Sequence, residues 1–109
     1  MRSQDDGATS QGTGGTENNS SLRAVIQGRV QGVNFRQFVY TRARFLRLTG
    51  YVGNLDDGQS LEVVAEGPRP DLEQLLEYLQ EGPRSAQVES VEVEWGEASG
   101  AWTDFGVMS

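Results

Sequence analysis

The chain has 109 residues, enough for one domain with a single core, and a net charge of −7. It contains no cysteine and no histidine, and all nine of its basic residues are arginine. Disulfides, thiolate or imidazole catalysis, Cys-type zinc sites, lysine Schiff bases and lysine-based phosphate loops are therefore excluded.

Residues 1–21 are mostly Gly, Ser, Thr, Gln and Asn, with Met1 and Ala8 the only apolar side chains. Such a segment buries too little surface to offset the entropy of ordering, so it reads as a disordered tail and residues 22–109 as the folded domain. It has no apolar core of a secretory signal, and no later run is long enough to span a membrane. The expectation is a cytoplasmic monomer without a membrane partner. Charge is divided unevenly. Residues 22–55 hold six arginines (23, 29, 36, 42, 44 and 47) and no acid, whereas residues 56–109 hold thirteen acids and only Arg69 and Arg84. The first part offers a positive field to a small anion, and the acidic remainder disfavours nucleic acid.

Leu22, Ala24 and Ile26 alternate with Arg23, Val25 and Gln27, the pattern of a first strand. The run Gly28-Arg29-Val30-Gln31-Gly32-Val33-Asn34-Phe35-Arg36 follows. Its glycines permit a tight backbone path. It leads into a helix marked by Phe35, Phe38, Val39, Ala43 and Leu46 at three- and four-residue steps. The first N–H groups of that helix lack intrahelical partners, and Arg36 adds a planar, permanently charged fork at the same end. These features together suit a phosphate.

Gly50 to Asn54 predicts a second strand and Asp56-Asp57-Gly58 a turn. Leu61, Val63 and Ala65 then predict a third strand, paired with the second as a hairpin. Pro70 suits the first turn of a second helix carrying Leu72, Leu75, Leu76 and Leu79, which Glu81-Gly82-Pro83 stops. Val91, Val93 and Trp95 mark a fourth strand, with Val88 out of phase, the sign of a bulge or a late strand start. Residues 102–107 add an optional short edge strand. Phe35, Phe38 and Trp95 are assigned to the core and Arg29 to the surface. The order βαββαβ, with right-handed crossovers, predicts an α+β ferredoxin-like sandwich: an antiparallel sheet with two helices on one face.

These residues resemble the acylphosphatase family. Gly28 to Arg36 matches the pattern G-x-V-Q-G-V-x-F-R in full. Ala43, Leu46, Leu48, Gly50, Val52 and Asn54 match a second block, and Asp57-Gly58 followed by Glu62 to Gly67 a third. The resemblance covers residues 22–107. It implies hydrolysis of small-molecule acyl phosphates to a carboxylate and inorganic phosphate, with Arg36 and Asn54 catalytic and the loop Val30, Gln31, Gly32, Val33, Asn34 and Phe35 cradling the phosphate. An acyl phosphate is an activated anhydride that needs its charge held and a water aimed at phosphorus, so no metal or cofactor is expected. Asn54 suits orienting a neutral water, and the resemblance implies that a substrate oxygen takes the water's proton. The alternative reading is a non-catalytic anion-sensing or protein-interaction domain of the same fold. Four features depart from the family pattern. Arg47 replaces a helix-ending glycine, Gly53 adds backbone freedom beside Asn54, the 57–62 hairpin has one residue more than the commonest spacing, and Met108-Ser109 lacks the basic or aromatic finish of many relatives.

Overall fold

The computed structural model describes residues 19–108; residues 1–18, most of the expected tail, lie outside the described residues, as does Ser109. The elements are β1 (Asn19–Arg29), α1 (Phe35–Phe45), β2 (Thr49–Asn54), β3 (Ser60–Pro68), α2 (Arg69–Glu81), β4 (Gln87–Glu97) and β5 (Phe105–Met108). They form one five-stranded sheet in the order β4-β1-β3-β2-β5. β1 begins at Asn19, ahead of Leu22, because Asn19, Ser20 and Ser21 continue the ladder opposite Pro68, Gly67 and Glu66. Polar residues suffice there, since the ladder needs only their backbone groups.

The sheet is mixed rather than purely antiparallel. β1, β2, β3 and β4 pair antiparallel, but β5 runs parallel to β2, with Gly50, Tyr51, Val52 and Gly53 opposite Phe105, Gly106, Val107 and Met108. β4 and β5 lie at opposite edges of the sheet, so the connection between them is a crossover, and it returns the chain in the direction of β2. That connection rests on the sheet face away from the helices. There Glu66 accepts hydrogen bonds from Ser99 N–H (2.9 Å), Ser99 Oγ (2.8 Å) and Gly100 N–H (3.0 Å), and Trp102 packs edge-on against Tyr51.

Alternation along the strands decides what the helices cover. Leu22, Ala24 and Ile26 face Ala65, Val63 and Leu61 across the ladder, and all are fully buried beside Val52. Onto this face α1 places Phe35, Val39 and Ala43, and α2 places Leu72, Leu75 and Leu79. Phe38 is partly buried, with the Arg42 guanidinium 3.6 Å above its ring and 5.1 Å from that of Tyr78, which ties α1 to α2. Trp95 departs from its core assignment. It stands on the outermost strand, 36% exposed, with the Arg69 guanidinium stacked 3.6 Å from its ring. Arg29 lies on the surface.

Two backbone details fit the sequence closely. The register of β1 against β4 shifts so that Gln27 faces Ser90 and Gly28 faces Val88, leaving Glu89 as the extra residue of a bulge. Gly28 permits it, because a Cβ there would lie 2.2 Å from the Gln87 carbonyl oxygen. At the end of α1, Arg47 takes the left-handed conformation itself (φ 60°). Leu48 N–H donates to the Ala43 carbonyl (2.9 Å) and Arg47 N–H to that of Arg44 (3.0 Å). This is a complete Schellman cap, built without glycine.

Candidate active site

The site is assembled where β1 gives way to α1. Gly32 (φ 73°) and Asn34 (φ 65°) are left-handed at alternate positions, a backbone curl of the kind that can gather N–H groups around an anion. Asn34 is the N-cap of α1, yet its side chain makes no capping hydrogen bond, and no acid stands in the first turn. The first helical acceptor is the Asn34 carbonyl, taken by Phe38 N–H at 3.1 Å. The N–H groups of Phe35, Arg36 and Gln37 are therefore without intrahelical partners, at the positive end of the helix dipole.

Asn54 reaches the same place from the end of β2. It pairs with Leu61, so its side chain lies on the helix-covered face. Its Oδ1 is buried and accepts no hydrogen bond among the described residues. A buried acceptor left unpaired is costly, so this atom is a candidate to bind a ligand or a water in the cleft.

Arg36, Asn54, Val30, Gly32, Asn34 and Phe35 line one cleft of about 310 Å³. Gln37 and Val107 complete its wall. No acid lines it, and Arg36 is its one charged residue. Arg36 Nη1 donates to the Met108 carbonyl at 2.8 Å. The remaining arginines of the acid-free segment do not converge here. Arg23 pairs with Glu62 at 2.8 Å on the opposite sheet face, and Arg44 contacts Tyr40 and Asp104. The positive field over 22–55 thus reduces, at the cleft, to Arg36 and the helix terminus.

Of the six expected loop residues, Gln31 and Val33 do not line the cleft. The Gln31 side chain is turned away, its Nε2 donating to the Leu55 and Ser60 carbonyls, and the Val33 carbonyl accepts from Ser85 Oγ at 3.0 Å. Gly53, beside Asn54, is packed against β5. It is buried, and a Cβ there would stand 2.9 Å from the Met108 Cβ, so its bareness lets β5 close on β2. In the long hairpin, the Asp57 carboxylate accepts from the N–H groups of Gln59 (2.9 Å) and Ser60 (2.8 Å) and from the Ser60 hydroxyl, which organises the added residue. Its bond from the Ser60 hydroxyl leads the causes that hold the Asp57 carboxyl below its usual range.

The acylphosphatase family model matches residues 22–107. The chain belongs to the acylphosphatase family. It is 54% identical over 79 residues to an acylphosphatase of Thermus thermophilus, covering 72% of this chain and 89% of the relative. It is 52% identical over 93 residues to one of Salinibacter ruber, covering 85% and 95%. Its fold superposes on the structure of an acylphosphatase from Coxiella burnetii with a TM-score of 0.80 at 37% identity, covering 89% of this chain and all of the other. The fold of this acylphosphatase-family chain explains why two cleft residues escaped the sequence reading. Gln37 carries no motif signal beyond its place next to Arg36. Val107 enters the wall through the parallel pairing of β5, which no local pattern encodes.

Proposed function

We propose that the chain hydrolyses acyl phosphates to a carboxylate and inorganic phosphate in this cleft. One arrangement carries the reading: an uncapped helix start, Arg36 and the unpaired Asn54 Oδ1 open into a single cleft that no acid lines. The loop and helix N–H groups and the Arg36 fork hold the phosphate oxygens and stabilise their charge as the bond breaks. Asn54 Oδ1 accepts a hydrogen bond from the attacking water and aims its oxygen at phosphorus.

The water oxygen bonds to phosphorus while the bond from phosphorus to the acyl oxygen breaks, and the carboxylate leaves with that electron pair. A carboxylate is stable at neutral pH, so its departure needs no general acid. The cleft wall holds no carboxylate or imidazole, so the water's proton passes to a phosphate oxygen of the substrate. The same wall offers no ligand set for a metal. Action as a monomer in the cytoplasm is the expectation that goes with this reading.

The test is hydrolysis of acetyl phosphate, with and without a chelator. Turnover insensitive to chelation and competitively inhibited by inorganic phosphate is expected. Arg36→Ala and Asn54→Ala should each fold and lose at least about 10²–10³-fold in kcat, the scale for removing one oxyanion donor. Full activity in Arg36→Ala would sink the mechanism. Binding of phosphate by the parent without turnover would favour the anion-sensing alternative.

A further inference from the structure

Gln31 sits in the middle of the phosphate loop, but its side chain leaves the loop. Its Nε2 donates to the carbonyl oxygens of Leu55 and Ser60, each at 2.9 Å. An amide nitrogen has two donors, and both are spent here. Leu55 directly follows Asn54, and its own N–H donates to the same Ser60 carbonyl at 2.9 Å. Ser60 is fully buried and fixed in turn by the Asp57 carboxylate. One side chain therefore joins the anion loop to a rigid point beside the strand end that carries Asn54.

We infer that Gln31 is a positioning residue for the reaction, setting the placement of Asn54 relative to the phosphate cradle without touching substrate. This rests on the reading of Asn54 given above. Other contacts keep the cradle's own shape: Gly28 N–H donates to the Gln59 carbonyl at 3.2 Å, and Ser85 Oγ to that of Val33 at 3.0 Å. Loss of the Gln31 amide leaves an anion-binding loop but removes one of the two hydrogen bonds that hold Leu55, which lets Leu55, and with it Asn54, shift. A misplacement of ~1 Å at a reacting centre costs up to ~10²-fold in rate. The loss therefore falls on kcat. A residue that only stabilised the loop would weaken phosphate binding as well.

Gln31→Met keeps the length and removes the donors. With acetyl phosphate, kcat should fall about tenfold or more, while KM and the inhibition constant of inorganic phosphate stay within about twofold of the parent. Parental kcat, or a matching rise in KM and in the phosphate constant, overturns the inference. Asn54→Ala is assayed alongside. Parental kcat in that variant defeats the Asn54 assignment itself, whereas parental kcat in Gln31→Met beside an inactive Asn54→Ala defeats only the strut. Should Gln31→Met not fold, the parent decides by NMR. Its Gln31 side-chain amide protons should exchange with solvent far more slowly than those of exposed Gln37, and equal exchange refutes the strut.

Discussion

Arg36 Nη1 donates a hydrogen bond of 2.8 Å to the carbonyl oxygen of Met108, joining the first turn of α1 to the last described residue of the chain. Met108 is in turn the register partner of Gly53, the neighbour of Asn54. The guanidinium is thus aimed by a strand that contributes no charged side chain to the cleft. A chain ending at Gly106 should keep the fold, because Phe105 remains as the buried anchor of β5. It should lose the orientation of Arg36. Acetyl phosphate kinetics of the truncated chain should show a KM and a phosphate inhibition constant raised about tenfold, the scale of one hydrogen bond to a charged group at ~1.5 kcal/mol.

Gly53→Ala probes the same strand from the other side. The new methyl would stand 2.9 Å from the Met108 Cβ, and that strand end must move to admit it. Met108 is half-exposed at the sheet edge, so the strain is relieved locally and the loss of stability should stay at or below about 1 kcal/mol. Activity should fall several-fold, since both Arg36 and Asn54 are placed through this contact. Parental kinetics with a lowered melting temperature would contradict this.

Arg47→Gly should stabilise the domain. A left-handed non-glycine residue costs roughly 1–2 kcal/mol, and the extra freedom of glycine in the unfolded chain returns about half of that. A net gain of about 0.5–1 kcal/mol is expected in urea unfolding. Activity should be unchanged, because Arg47 lies beyond the end of α1 opposite the cleft.

Acid should destabilise the fold through Glu66. Burial pushes its carboxyl up, but hydrogen bonds from Ser99 N–H, Ser99 Oγ and Gly100 N–H outweigh this and hold it below its ordinary 4.5. A carboxyl lowered in the folded state binds fewer protons there than in the unfolded chain. Its stabilisation is therefore complete above the unfolded value and is lost as pH falls through the folded one. Urea midpoints measured from pH 6 to pH 3 should drop, and the drop should be shallower in Glu66→Gln. Asp57, also lowered, acts in the same direction and leaves a residual slope in that variant.

Resemblance to a family singled out Asn54; by itself the sequence determined the element order, most of the core faces and the glycine-flanked run that ends in Arg36. These are local properties: alternation sets which strand residues are buried, three- and four-residue steps set the helix stripes, and the run from Gly28 to Arg36 carries its own turn and charge. Even the bulge opposite Gly28 was legible, because Val88 breaks the phase of Val91 and Val93. Only the tertiary structure decided what those local pieces meet. It made β5 parallel, since the chain crosses the open sheet face before pairing with β2. It brought Val107 and the Met108 carbonyl to Arg36 and turned the Gln31 amide from the loop toward Leu55 and Ser60. It left Trp95 at an edge under Arg69. Each of these depends on backbone groups or edges far apart in the chain. A carbonyl oxygen is the same in every residue, so its partner is written in the fold and not in the residue's identity.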